Sequence, residues 1–218
     1  MTRVSVSRLI GFVCLVMMCA ASRAGAQVLF EQLDPLVVPR APEYFAAGRF
    51  NADAFDDLAV LSPRDRELTI LLGGPKGFQS GSVVRFGRDL HGLALGDLNG
   101  DGFLDVAVAD RGASGFWVVF GRGDGTVDPP TDADFSTVGS QGSGEPSRSD
   151  PVALAIADFD GINGLDVAVS DRDTGRVFLE LNDGTGKFAE LVPGPTATIP
   201  GAGDLVAADF NQDAIPDL

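Results

Sequence analysis

The chain has few of the residues that build disulfides or nucleophilic active sites. Its 218 residues include two cysteines, one histidine, one tryptophan and one tyrosine. Cys14 and Cys19 both lie in an apolar stretch near the N-terminus, and His91 is the single histidine. Because His91 stands alone, the sequence offers no Ser/His or Cys/His constellation for nucleophilic catalysis. We therefore expect that the chain is not an enzyme and has no catalytic residues.

The first 26 residues have the features of an export signal. Arg3 and Arg8 give a positive start, an uncharged run of 13 residues follows, and a small-x-small triplet ends at Ala26. The run is shorter than the roughly 20 residues that a membrane-spanning helix needs. We predict that residues 1–26 are a signal peptide and that residues 27–218 are secreted or displayed at the cell surface, with no membrane span. That part would enter an oxidising compartment without any cysteine.

Basic residues are also scarce. The sequence has 16 Lys and Arg against 31 Asp and Glu, which gives a formal net charge of -15. Removal of the three arginines in the predicted signal would leave 13 basic residues and a charge of -18. Nucleic acid and anionic membranes are bound by basic stripes, and none is visible in this sequence. We expect no nucleic-acid partner, and the excess of carboxylates favours bound cations.

Beyond the signal, no stretch keeps a 3.6-residue apolar period over helical length, which predicts an all-β chain. The sequence instead repeats an acidic segment. Four copies align without gaps at 49–58 (RFNADAFDDL), 97–106 (DLNGDGFLDV), 158–167 (DFDGINGLDV) and 209–218 (DFNQDAIPDL). Their first residues lie 48, 61 and 51 positions apart. Such a period is typical of one supersecondary unit in a repeat protein.

Each repeat is predicted to contain four strands. The acidic segment stands between two apolar strands, and a third strand then leads through a Gly-rich hairpin turn to a fourth. In the strand at 105–109, valines and alanines alternate, so both faces are apolar, as in a sheet packed between two neighbours. These features predict four-stranded antiparallel blades of a β-propeller, with units starting near 45, 93, 153 and 204. A flexible loop is predicted near 128–151, which is rich in Pro, Gly, Ser and Asp.

The acidic segment of the second copy has the spacing of a metal-binding loop. Asp97, Asn99 and Asp101 alternate with other residues, and Asp105 closes the loop. Calcium takes six to eight oxygen ligands, which a short loop can supply only when such side chains recur around a tight turn. An EF-hand would need a bidentate Glu at the twelfth position, where this sequence has Val108 in a predicted strand. The EF-hand is therefore excluded.

With a closing Asp at the ninth position and a strand behind it, the loop resembles the FG-GAP/VCBS motif of integrin α-subunit propellers and many secreted bacterial proteins. The resemblance covers about residues 45–218. It implies calcium ligands at Asp97, Asn99, Asp101, Phe103 through its carbonyl, Asp105, Asp158, Asp160, Asp166, Asp209, Asn211, Asp213, Ile215 and Asp217. The first copy departs at Arg49, and the third departs at Ile162, beside Asn163. The residues themselves leave open that these loops are polar turns.

The resemblance implies a secreted calcium-binding scaffold that binds an extracellular protein or glycan, or mediates adhesion. The alternative is a non-catalytic or accessory propeller in a larger secreted hydrolase or lyase. The tripeptide Arg122-Gly123-Asp124 is predicted to be part of a hairpin turn and not an integrin ligand. Trp117 lies in an apolar strand, which does not favour an aromatic platform for sugars.

The number of repeats predicts an incomplete propeller. Closed propellers have about four to eight blades, whereas 192 residues after the predicted signal allow three to four at the observed spacings. An open arc would leave an apolar blade face and strand edges without partners. We expect self-association, or further chain that completes the ring.

Overall fold

The computed structural model describes residues 40–139, 149–191 and 203–218. The predicted signal peptide lies outside these ranges. They contain twelve β-strands and two 3-10 helices, η1 (Pro63–Asp65) and η2 (Asp132–Asp134). The strands are β1 Tyr44–Gly48, β2 Asp57–Ser62, β3 Glu67–Leu72, β4 Gln79–Arg85, β5 Leu90–Gly96, β6 Asp105–Asp110, β7 Gly115–Val119, β8 Phe135–Thr137, β9 Pro151–Ala157, β10 Asp166–Asp171, β11 Arg176–Asn182 and β12 Phe188–Glu190. None of the helices in the described ranges has the length and apolar character to cross a membrane.

The strands form three four-stranded sheets, each in simple sequence order. The orders are β1-β2-β3-β4, β5-β6-β7-β8 and β9-β10-β11-β12. Every neighbouring pair is antiparallel. We call these sheets blades 1, 2 and 3. The arrangement confirms the predicted all-β chain of propeller-type blades, with the acidic segment between the first and second strand of each blade.

The second strand of each blade is buried on both faces, as its sequence predicts. In β6, Val106 and Val108 pack in a core cluster shared with blade 1, whereas Ala107 and Ala109 pack in a cluster shared with blade 3. All four side chains have no exposed surface. Successive side chains of a strand point to opposite faces. Alanine on one face leaves room for the larger side chains of the next blade, so the blades stack closely.

The strand β6 begins with the buried Asp105 and ends with a second buried aspartate. Asp110, the last residue of β6, accepts backbone N–H groups of Arg88 at 2.9 Å and Asp89 at 3.0 Å. Asp171 ends β10 in the same way and accepts the N–H of Asp150 at 2.9 Å. These carboxylates join the second strand of a blade to the chain that enters the blade. Sequence reasoning missed both, although DVAVAD and DVAVSD carry an Asp at each end.

The first part of the flexible loop predicted near 128–151 contains regular secondary structure. Residues 132–137 form η2 and β8, and β8 pairs with β7 as the fourth strand of blade 2. Phe135 lies opposite Trp117, and their ring centroids are 4.8 Å apart. A three-residue strand is too short to show a period of two, so this strand could not be predicted from its local pattern. Residues 140–148 lie outside the described ranges.

The fourth unit is described over 203–218. Its acidic segment is closed by a bridge between Ala208 and Asp217, which exchange two backbone hydrogen bonds of 2.8 and 3.1 Å. Leu205 and Ala207 pack against the apolar face of blade 3. Phe210 is 63% exposed, whereas Leu98 at the same repeat position is 1% exposed between blades 2 and 3. The described residues thus comprise three blades and the acidic loop of a fourth unit.

Candidate metal centre

The last aspartate of each acidic loop is a structural anchor. Its Oδ2 atom accepts the N–H of the second loop residue at 2.8 to 3.0 Å in all four copies; the pairs are Asp57 with Phe50, Asp105 with Leu98, Asp166 with Phe159 and Asp217 with Phe210. In the three blades Oδ1 accepts a further N–H from a residue at or within two residues of the end of the third strand, and these donors are Gly73, Gly121 and Asn182. The closing carboxylate therefore holds the loop against its own blade.

The first aspartate organises the loop in the second copy. Asp97 Oδ1 accepts the N–H groups of Gly100 at 2.8 Å and Asp101 at 3.1 Å, and its Oδ2 accepts that of Gly102 at 2.9 Å. Gly100 and Gly102 have φ values of 73° and 88°, in the left-handed region that glycine tolerates. We call this arrangement, with the first carboxylate accepting N–H groups across the loop, the wrapped conformation.

The fourth copy adopts the wrapped conformation without glycine. Asp209 accepts the N–H groups of Gln212 at 2.6 Å, Asp213 at 3.1 Å and Ala214 at 2.9 Å. Gln212 and Ala214 have φ values of 65° and 69°, which cost about 1 kcal/mol or more at a non-glycine residue. The hydrogen bonds to Asp209 offset this strain. The same backbone thus recurs in a different local sequence.

The third copy brings three carboxylates together. Asp158, Asp160 and Asp166 each offer an oxygen, and these oxygens lie within 4.8 Å of one another. Among the described residues, this is the one group of three or more His, Cys, Asp or Glu side chains whose possible ligand atoms lie that close together. Asp158 and Asp160 are exposed, and Asp166 is buried. The site residues predicted in this copy are therefore assembled, although Ile162 occupies the third ligand position and is 58% exposed.

In the second copy, the side chains of Asn99 and Asp101 also form hydrogen bonds within the loop. Asn99 Oδ1 accepts the N–H of Asp101 at 3.0 Å, and Asn99 Nδ2 donates to Asp101 Oδ2 at 2.9 Å. Asp101 Oδ1 accepts the N–H of Phe103 at 2.8 Å. In the fourth copy, Asn211 and Asp213 repeat two of these bonds, to the N–H groups of Asp213 and Ile215, both at 2.8 Å. The predicted ligands of these two copies share one framework of hydrogen bonds.

The first copy is built differently. Arg49 replaces the first aspartate and pairs at 3.5 Å with Asp56 on the exposed surface. Asn51 and Asp53 each accept one N–H group, at 2.9 and 2.8 Å. Residues 49–57 all lie in the described part of the chain, and none of them has a positive φ. Without a first carboxylate this loop does not adopt the wrapped conformation.

Burial makes two of the closing aspartates, Asp105 and Asp166, costly to ionise. Burial, together with the nearby negative charges of Asp101 and Asp97, raises the pKa of Asp105 to about 6. The pKa of Asp166 is also raised, mainly by burial and also by the charge of Asp160, while backbone N–H donors act in the opposite direction. A bound cation would offset the desolvation of such carboxylates. Oxygen donors of this kind fit hard cations such as Ca²⁺.

The turn that contains the Arg122-Gly123-Asp124 tripeptide has a repeated geometry. Asp124 Oδ1 accepts the N–H and the hydroxyl of Thr126 at 3.0 and 2.6 Å. In blade 3, Asp183 accepts the same two groups of Thr185 at 2.9 and 2.7 Å. The Thr126 hydroxyl lowers the pKa of Asp124. The aspartate of the tripeptide therefore makes the same two hydrogen bonds as the aspartate of a turn that lacks the tripeptide.

Comparisons with known proteins place the chain in a repeat family. No curated protein sequence matches the chain. A crystal structure of BBS1N in complex with ARL6DN, soaked with lead, is similar over 81% of this chain and 50% of that chain, with 15% identity and a TM-score of 0.49. The chain thus spans half the length of the protein in that structure. A family model described as an FG-GAP-like repeat matches residues 49–108, 97–161 and 158–218. The resemblance of the acidic loops is confirmed, and the chain belongs to the FG-GAP-like repeat family.

Proposed function

We propose that this chain is a secreted calcium-binding scaffold that presents its blades to an extracellular protein or glycan. The observation that carries the proposal is the convergence of the Asp158, Asp160 and Asp166 carboxylates within 4.8 Å. Three negative charges at this distance repel one another unless a cation or protons neutralise them. Calcium fits because it accepts several carboxylate and carbonyl oxygens in flexible geometry.

The wrapped loops of the second and fourth copies are the other proposed calcium sites. Their first aspartates, Asp97 and Asp209, hold backbone N–H groups and keep the remaining oxygens around the loop. The proposed ligands are those that the resemblance implies, including the carbonyls of Phe103 and Ile215. The first loop lacks the first carboxylate, so we expect it to bind calcium most weakly.

Calcium in these loops has a structural role in our proposal. In each blade the closing aspartate is the first residue of the buried second strand. A cation bound there would link the exposed loop to the blade core and stiffen the connection between the first two strands. Because it binds only the folded state, it would stabilise the fold by mass action. Binding at about 10⁻⁴ to 10⁻³ M is typical of extracellular modules.

We also propose that the scaffold binds partners and does not catalyse a reaction. His91 contacts the hydroxyl of Tyr44 at 3.1 Å and the guanidinium of Arg111 at 3.0 Å. Arg111 and Arg172 both pair with Asp150. Tyr44 and His91 lie in the first strands of blades 1 and 2, and Asp150 directly precedes that of blade 3. The contacts therefore join the three blades, which favours a structural role for His91. Secretion is supported by the signal-like pattern of residues 1–26.

The decisive experiment compares thermal unfolding of the protein in millimolar calcium and in excess chelator. We expect calcium to raise the melting temperature. Asp101→Asn keeps the shape of the side chain but removes a charge, so it should reduce the calcium-dependent shift. Asp53→Asn at the same position of the first loop is the matched control and should leave the shift unchanged. Identical melting curves with calcium and with chelator would show that the loops are polar turns and that the proposal is wrong.

A further inference from the structure

A groove of about 420 Å³ opens on blade 2, at the end of the blade opposite its acidic loop. The residues that form it come from three separate segments: the linker between β4 and β5, the end of β6 with β7, and η2 with β8. They include Gly87, Arg88, Asp110, Trp117, Asp132 and Phe135. Pockets for small ligands typically measure about 300 to 1,000 Å³ and combine apolar walls with a few polar groups. This groove has both properties.

The indole of Trp117 is held in a fixed orientation. Its Nε1 atom donates to Asp110 Oδ2 at 2.9 Å, and Asp110 is fully buried. The ring lies edge-on to Phe86 at 5.9 Å between centroids and tilted to Phe135 at 4.8 Å. An aromatic wall that is already fixed loses little conformational entropy when a ligand binds against it.

Blade packing alone does not require a tryptophan at this position. Trp117 pairs with Val108, and the equivalent pairs in the other blades are Thr69 with Val60 and Phe178 with Val169. A threonine therefore fills the position in blade 1. The groove also depends on η2 and β8, where Asp134 accepts the N–H and the hydroxyl of Thr131 at 2.7 and 2.8 Å. These bonds fix the short segment that carries Asp132.

Two side chains of opposite charge border the groove. Arg88 and Asp132 are both exposed, and they come from the β4–β5 linker and from η2. Among the described residues neither side chain has a hydrogen-bond or ion-pair partner, and they do not pair with each other. The guanidinium therefore keeps its five N–H donors, and the carboxylate keeps its acceptors, for a ligand.

We propose that this groove binds a neutral carbohydrate. A sugar ring has an apolar C–H face that can lie against Trp117 and Phe135, and its hydroxyls can both donate and accept. Arg88 would donate to one hydroxyl and Asp132 would accept from another. A quaternary ammonium group also suits aromatic walls, but Arg88 repels it. A carboxylated or phosphorylated ligand would meet Asp132 and the acidic character of the whole chain.

This inference deepens the proposed function by naming the class of partner, and it uses a site away from the calcium loops. Trp117 is the single tryptophan of the chain, so its fluorescence reports on the groove directly. The protein is titrated in calcium with methyl glycosides of glucose, galactose, mannose and N-acetylglucosamine and screened against an array of neutral oligosaccharides. Choline and glucuronate serve as cationic and anionic probes. We expect a saturable change in emission with a neutral glycan and none with choline or glucuronate.

Four variants separate the groove from the rest of the surface. Arg88→Ala and Asp132→Ala should each weaken glycan binding about tenfold or more without changing the melting temperature. Arg64→Ala and Asp65→Ala, on the exposed helix η1 of blade 1, are the controls and should bind normally. Binding of no neutral glycan, unchanged affinity in both groove variants, or tighter binding of choline or glucuronate would overturn the inference. A calcium-dependent melting shift that persists in that case would leave the proposed scaffold function intact.

Discussion

The side-chain amide of Asn182 donates hydrogen bonds to the backbone carbonyls of Leu98 at 2.7 Å and Leu165 at 2.8 Å. Leu98 belongs to the acidic loop of blade 2, and Leu165 to that of blade 3. Asn182 ends β11, and its backbone N–H binds Asp166, the closing residue of the third loop. One buried amide therefore connects two neighbouring acidic loops.

Replacing this amide tests the connection. Asn182→Ala should lower the free energy of unfolding by about 3 kcal/mol, because it leaves the buried carbonyl of Leu98 without this partner and also removes the acceptor for Gly184 and Gly186. Asp183→Ala is the neighbouring control, since Asp183 is exposed, and it should cost less than about 1 kcal/mol. Denaturant unfolding of the two variants measures the difference. Equal losses would contradict the role of Asn182.

The raised pKa of Asp105, about 6, predicts how calcium binding depends on pH. An aspartate in an unfolded chain has a pKa near 3.9. Between about pH 6 and 4 the metal-free folded protein therefore binds a proton that the unfolded chain does not. The contribution of Asp105 to metal-free stability consequently increases as the pH falls through 6. Calcium must displace that proton, so its affinity for the second loop should decrease over the same range.

Thermal unfolding with calcium and with chelator at pH 7.5, 6.5 and 5.5 measures this effect. The calcium-dependent rise in melting temperature should shrink as the pH falls. Asp166, whose pKa is also raised, should contribute in the same direction in the third loop. Asp105→Asn removes the titrating group of the second loop, so part of the pH dependence should be lost in this variant. A calcium effect of equal size at pH 7.5 and 5.5 would contradict the assignment of Asp105 as a ligand.

The strand pattern and the acidic loop of the repeat could be predicted from the sequence, whereas contacts between distant segments could not. The alternation of Val106, Ala107 and Val108 predicted a strand buried on both faces, because a period of two is readable locally. Spacing of Asp97 and Asp105 likewise predicted the shape of the acidic loop. By contrast, the partner of Asn182 lies 84 residues away in the chain. Only the packed blades bring such residues together.

The groove shows the same limit, whereas the third acidic loop brings together the carboxylates that were predicted as ligands. The sequence marked Ile162 as a departure from the ligand pattern, yet Asp158 and Asp160 converge with Asp166 because the backbone of the loop brings their oxygens together. The sequence also argued against a role for Trp117 in a sugar platform, since it stands in an apolar strand. Its place in the wall of the groove becomes visible only when η2 and β8 are placed beside it. The groove depends on segments that share no local pattern.

The last residue of the second strand differs between blades 1 and 2, and this difference provides the last prediction. Asp110 accepts N–H groups from Arg88, Asp89 and the indole of Trp117. At the same position in blade 1, Ser62 is fully buried, and its hydroxyl has no hydrogen-bond partner among the described residues. An unpaired buried hydroxyl costs free energy, whereas a carboxylate with three donors is satisfied.

These opposite situations predict opposite effects of the same replacement. Asp110→Ala should destabilise the protein by about 3 kcal/mol or more, because three partly buried donors lose their acceptor. Ser62→Ala should be neutral or should stabilise by up to about 1 kcal/mol, because it removes a polar atom that lacks a partner. Denaturant unfolding of both variants under the same calcium concentration separates them. If Ser62→Ala lowered the free energy of unfolding as much as Asp110→Ala does, side-chain packing and not hydrogen bonding to the carboxylate would stabilise the end of the strand.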